Sequence, residues 1–128
     1  MDWHIAPDAP IYAQLAKQIR LGIVSGEYVP GERLPPVREL ALSAGVNPNT
    51  MQRALQELEG RGLLQAQRTA GRTVTADAEI LQQLRRRRAQ TLAEEFLHQM
   101  QALGLDRAQT EELLRETAEG GEHDEGNL

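Results

Sequence analysis

Apolar residues recur at helical spacing along most of the chain, interrupted by two short runs that read as strands. Ile11, Leu15, Ile19 and Ile23 fall every fourth position, with Tyr12 and Ala16 beside them. This predicts a helix with one buried face from about Pro10 to Ser25. Pro10 suits a first helical turn, where a missing N–H costs nothing, and Gly26 closes the helix. Val29, Pro30, Gly31 and Glu32 form a turn, followed by a very short extended segment at 32–34. Val37, Leu40 and Ala41 predict a second, short helix over 36–44, stopped by Gly45 as a left-handed cap. A third helix opens almost at once. Asn47 is its N-cap, Pro48 its first residue, and Ala54, Leu55 and Leu58 its inward stripe, with Gly62 beyond its end.

Two helices joined by a short glycine-containing turn have the form of a helix-turn-helix. Residues 63–66 and 73–75 flank Arg68, Thr69, Ala70, Gly71 and Arg72, which predicts a hairpin with two arginines and a glycine at its tip. A hairpin in this position is a wing. From Asp77 a long helix runs to about 102. Its apolar positions Leu81, Leu84, Leu92, Phe96, Met100 and Leu103 keep a three/four spacing except across the four arginines at 85–88. Gly104 ends it. Asp106 with Gln109 makes a capping box for a shorter helix to about Glu119, with Leu105, Leu113 and Leu114 on its apolar side. Residues 120–128 have no core-forming pattern and read as a disordered acidic tail. The expected fold class is mainly α with a small β-hairpin. It comprises a winged helix-turn-helix domain over 1–76, a two-helix dimerisation segment over 77–119, and the tail.

A net charge of -5 argues at first against a nucleic-acid partner. Its distribution changes the picture. Residues 1–76 hold eight Lys/Arg against seven Asp/Glu, whereas 77–128 hold six against twelve. A front half near neutrality binds phosphates where its arginines cluster on one face. The chain has no cysteine, which excludes disulfides, thiolate nucleophiles and cysteine-based zinc sites and accords with a cytoplasmic location. No apolar run is long enough to span a membrane, and Met1, Asp2, Trp3 and His4 lack the pattern of a secretory leader. Without a Gly-rich phosphate loop, paired histidines or a credible carboxylate pair, neither an enzyme nor a bound cofactor or metal is expected. His98, three and four residues after Glu95 and Glu94, has a spacing found on metal-bearing helices but reads more simply as a surface ion pair.

The candidate chemistry is DNA recognition. A recognition helix presents its N-terminal residues to base edges, here Asn47, Asn49, Thr50 and Gln52. Amide side chains can pair with adenine, and Thr can meet a thymine methyl. Arg53 follows, placed for a phosphate or a guanine, and Arg38 opens the preceding helix. Arg68 and Arg72 would enter a minor groove or clamp phosphates, with Gly71 permitting close backbone approach. Blander readings stand beside these. Asn47 serves as a cap in any case, Arg38 can pair with Glu39 or Glu32, and the hairpin arginines can be solvated. The arginines at 85–88 read as a solvated face, a phosphate contact, or a site for Glu94 or Glu95 of a second copy.

The ordered series Pro10, Ile11, Tyr12, Gln14, Leu15, Gly26, Pro30, Gly31, Arg33, Leu34, Pro35, Val37, Arg38, Leu40 and Ala41 resembles the N-terminal domain of GntR-type regulators. Gly45, Val46, Asn47, Pro48, Asn49, Thr50, Ala54, Leu55, Leu58, Gly62 and Leu63 continue the resemblance, which covers about 10–75. It implies a winged domain whose DNA-contact positions are Arg38, Asn47, Pro48, Asn49, Thr50, Gln52 and Gly71. Pro36 stands where the family often has Ser, and the wing lacks the usual first glycine and aromatic residue. The remaining fifty or so residues are too few for the family's large effector domains and resemble its small YtrA-like branch, where two helices serve dimerisation. The resemblance implies a homodimer on an inverted-repeat operator, a repressor by family habit, with no effector identified. The alternative from the residues alone is a winged-helix module for protein–protein contact.

Overall fold

The computed structural model describes residues 1–68 and 71–124, with side chains as far as Gly120. It contains two compact units, Met1–Arg86 and Arg87–Leu128. Among the described residues no helix is long and apolar enough to cross a membrane.

In the first unit, α1 (Ile11–Ser25) buries Leu15, Ala16, Ile19 and Ile23, and Gly26 ends it at φ 84°. Pro10 is the cap itself, and Ile11 is 40% exposed, so the buried face starts one turn later than its periodicity suggests. Helix α2 (Val37–Ala44) buries Leu40 and Ala41. Helix α3 (Pro48–Gly60) buries Met51, Ala54, Leu55 and Leu58 and packs on both α1 and α2. Strands β1 (Leu64–Gln67) and β2 (Gly71–Val74) pair antiparallel, with Leu64 opposite Val74 and Gln67 opposite Gly71. The expected extended segment at 32–34 supplies a third rung. Arg33 bridges Thr73, Leu34 N–H donates to Arg72 C=O at 2.9 Å, and Val74 N–H donates to Glu32 C=O at 2.8 Å. Leu34, Leu64 and Val74 bring this sheet into the same core as the three helices. Thr69 and Ala70, expected at the hairpin tip, lie outside the described residues.

Helix α4 (Ala78–Ala102) is capped by Asp77, whose Oδ1 accepts from Glu79 N–H at 3.0 Å and Ile80 N–H at 3.3 Å. Ile80, Leu81 and Leu84 pack against the core of the winged domain. Through this apolar stripe the first turns of α4, where the sequence reading starts its second segment at Asp77, belong to the compact unit Met1–Arg86.

In the second unit, Gly104 at φ 86° turns the chain out of α4, and α5 (Arg107–Asp124) follows. The expected capping box is present. Gln109 N–H donates to Asp106 Oδ1 at 2.8 Å, and Asp106 N–H donates to Gln109 Oε1 at 2.9 Å. Residues 120–124, read from sequence as the start of a disordered tail, instead continue the helix, because Gly120 does not adopt the left-handed conformation that would stop it. Residues 125–128 lie outside the described part of the chain.

Candidate nucleic-acid interface

The turn between α2 and α3 is built by three residues. Gly45 takes φ 70°, a conformation open to glycine, and Val46 N–H returns to Ala41 C=O at 3.0 Å. Asn47 is extended, and its side-chain oxygen accepts from Asn49 N–H at 2.7 Å. Its carbonyl then receives Thr50 N–H and Met51 N–H at 3.0 and 3.1 Å. With Met51 on the opposite side and wholly buried, Asn47, Pro48 and Asn49 are left exposed and Thr50 half-exposed. The leading edge of α3 is therefore a short polar surface whose backbone is already fully organised.

Arg38 is exposed on the first turn of α2, and among the described residues its guanidinium has no ion-pair partner. Glu32, one of the acids near it in sequence, instead accepts from Val29 N–H at 2.9 Å and stabilises its own turn. A cleft of about 200 Å³ brings Pro36 and Val37 at the start of α2 beside Leu55 of α3 and Gly71 and Arg72 of the hairpin. The start of α2, the middle of α3 and the hairpin thus converge in one region. Gly71 has φ 71°, which L side chains rarely adopt.

Arg53 and Arg72 each make a contact within the chain. The Arg53 guanidinium lies 3.8 Å from the centroid of the Tyr12 ring, so it braces α3 on α1. Arg72 turns back from the hairpin onto α3. Its Nε donates to Glu59 Oε1, and Nη1 reaches Gln52 Oε1 at 3.5 Å. Its side chain is only 15% exposed. Arg72 and Gln52 are therefore engaged with one another, and Arg68 is the exposed cation of the hairpin.

An N-terminal strap went unnoticed in the sequence. Gln18 clamps His4 through its N–H and C=O at 3.0 and 2.7 Å, and Gln14 holds Ala6 in the same way at 2.7 Å for both bonds. Trp3 Nε1–H donates to Ser43 Oγ at 3.0 Å, which ties the strap to the end of α2. Only the spacing of two glutamines four residues apart hinted at it. Met51 is buried as well, three and four residues before Ala54 and Leu55 and so in register with their stripe, which the sequence reading starts one turn too late.

Of the residues expected at a dimer interface, Leu81 and Leu84 are packed on the winged core of their own chain. Leu92, Leu103, Leu113 and Leu114 are exposed, as is Leu97, and Phe96 and Met100 are half-exposed. Among the described residues no three His, Asp or Glu side chains converge as metal ligands.

Residues 11–74 match the family profile described as bacterial regulatory proteins, gntR family. The chain is 38% identical over 121 residues to the uncharacterized HTH-type transcriptional regulator YhcF of Bacillus subtilis, covering 94% of this chain and all of YhcF. It is 39% identical over 69 residues to the HTH-type transcriptional repressor YtrA of the same species, covering 54% of this chain and 53% of YtrA. Among solved structures, a GntR family transcriptional regulator from Listeria monocytogenes superposes with a TM-score of 0.75 at 35% identity, over 87% of this chain and 97% of that one. The DNA-binding domain of AraR in complex with its operator ORX1 superposes with a TM-score of 0.51 at 26% identity, over 59% of this chain and 99% of that one.

Proposed function

Because the chain belongs to the gntR family of bacterial regulatory proteins, whose members are DNA-binding transcriptional regulators, we propose that it is a repressor gripping an inverted-repeat operator as a homodimer. The N-terminal end of α3 lies in the major groove, with Asn49 and Thr50 against base edges. Arg38 and Arg68 hold phosphates on either side. Arg72 and Gln52 fix the hairpin relative to α3 and so set the spacing between groove and wing.

The observation that carries this reading is the polar leading edge of α3. Asn47, Pro48 and Asn49 are exposed, preorganised by the 2.7 Å cap, and backed by wholly buried Met51. The assignment as a repressor leans on the similarity to YtrA, an HTH-type transcriptional repressor. The homodimer leans on the leucines that α4 and α5 leave uncovered, since a two-fold pair of subunits both buries such a face and matches a palindromic site.

Selection of binding duplexes from a random pool, with sedimentation of the protein alone and with the selected site, tests the proposal. A palindromic consensus bound by two copies is expected. A monomeric protein, or a pool without enrichment, would overturn it.

A further inference from the structure

The four arginines at 85–88 fill a whole turn of α4 and have no role in the DNA interface described above. Arg85, Arg86 and Arg87 are exposed and Arg88 is half-exposed. Among the described residues none of the four guanidinium groups has an ion-pair or hydrogen-bond partner. Four like charges in a single turn repel one another, so a nearby anion relieves that repulsion.

Two polyanions match this charge, DNA and the chain's own acidic C-terminal segment. The start of α4 lies away from the base-facing residues. Ile80, in the first turn of α4, comes within 3.4 Å of the point where a Cβ on Gly62 would sit. Gly62 follows the C-terminal end of α3, whereas the base-facing residues are at the other end of this 13-residue helix, about 20 Å away. Helix α4 therefore departs from the end of α3 remote from the bases.

Charge favours the acidic segment. From Asp106 onward the chain holds eight Asp/Glu against two Arg. Glu111 and Glu112 are paired with Arg107 and Arg115, while Glu116 and Glu119 are exposed and carry no ion pair among the described residues. Both α4 and α5 leave leucines uncovered. A second copy supplies what each helix lacks.

We propose that the arginine turn of α4 in one copy receives the acidic α5 of a second copy, through Glu116 and Glu119, as a reciprocal ionic clasp. This rests on the homodimer reading above and adds to it the pairing that aligns the subunits. Uncovered leucines give attraction with little orientation, whereas matched charges specify which faces meet. The clasp also makes assembly, and through it operator occupancy, sensitive to ionic strength.

Two full-length charge-reversed proteins test it, R86E/R87E and E116R/E119R, each checked for helix content by circular dichroism. In low salt each alone should dimerise roughly tenfold more weakly than the parent, a difference that shrinks in high salt. Mixed together they should recover the parental dimer constant, because both clasps are restored with reversed sign. The clasp is overturned if R86E/R87E dimerises like the parent, if mixing brings no recovery, or if an E94R/E95R protein complements it in place of E116R/E119R. It is also overturned if R86E/R87E loses operator affinity at an unchanged dimer constant, which assigns the arginines to phosphates. A parent that is monomeric at all concentrations removes the homodimer itself, an outcome distinct from loss of the clasp alone.

Discussion

Arg72 of β2 donates its Nε–H to Glu59 near the end of α3, so the wing and the recognition helix are held as one piece. The two side chains are 15% and 27% exposed, which puts this ion pair well inside the solvent boundary. A pair in such surroundings is costly to break from one side, because the remaining charge stays partly desolvated.

Glu59→Ala should therefore destabilise the fold by about 1–3 kcal/mol, and Glu59→Gln, which keeps an acceptor for Arg72, by less. Thermal or urea unfolding of the three proteins checks the order. Operator affinity of Glu59→Ala should also fall as the wing loosens, at a nearly unchanged salt dependence, since no phosphate contact is removed.

Arg38→Ala and Arg68→Ala belong to a different class. Each should weaken binding to specific and unrelated duplexes alike and lower the slope of log affinity against log salt by about one. Arg72→Ala should leave that slope near the parental value. Anisotropy titrations over a salt series separate the two behaviours.

Removing the cap on α3 by Asn47→Ala leaves the Asn49 N–H without its 2.7 Å acceptor. A loss of about 1 kcal/mol in stability is expected, with Asn47→Asp retaining most of it. Equilibrium unfolding measures both. An Ala variant as stable as the parent would mean that this turn is held by its neighbours instead.

Tyr28 gives the fold an alkaline limit. Burial raises its phenol above the usual value of 10.0, and the nearby Glu27 and Glu32 carboxylates raise it further. A folded-state value above the unfolded one means that the contribution to stability is complete below pH 10. It is then lost as pH rises from there through the folded-state value. Tyr28→Phe should flatten this part of the stability–pH curve, and absorbance titration of the phenolates should show one ionising late only in the parent.

Local chemistry accounts for most of what could be read in advance. Gly45, Asn47 and the Asp106–Gln109 box set helix ends through their own backbone, so their roles follow from neighbours in sequence. Interactions between distant segments left no such trace. Nothing in the order of residues says that Arg72 folds back on Glu59, that Arg53 covers Tyr12, or that Trp3 reaches Ser43. Leu81 and Leu84 show the same limit differently. Their spacing marks an apolar face, yet only the fold reveals that their own chain supplies its cover. Helix α5 runs past Glu119 for a further reason, since a glycine ends a helix where it turns left-handed and Gly120 does not.

Base contact by the leading edge of α3 is tested most directly by the discrimination that Asn49→Ala retains. The ratio of affinities for a selected operator and for the same site changed at single positions should be measured for parent and variant. Asn49→Ala is expected to bind the operator more weakly and to lose discrimination at one symmetric pair of base positions, by a factor equivalent to about 1–3 kcal/mol per half-site. Parental discrimination at every position in the variant would contradict the placement of α3 in the groove.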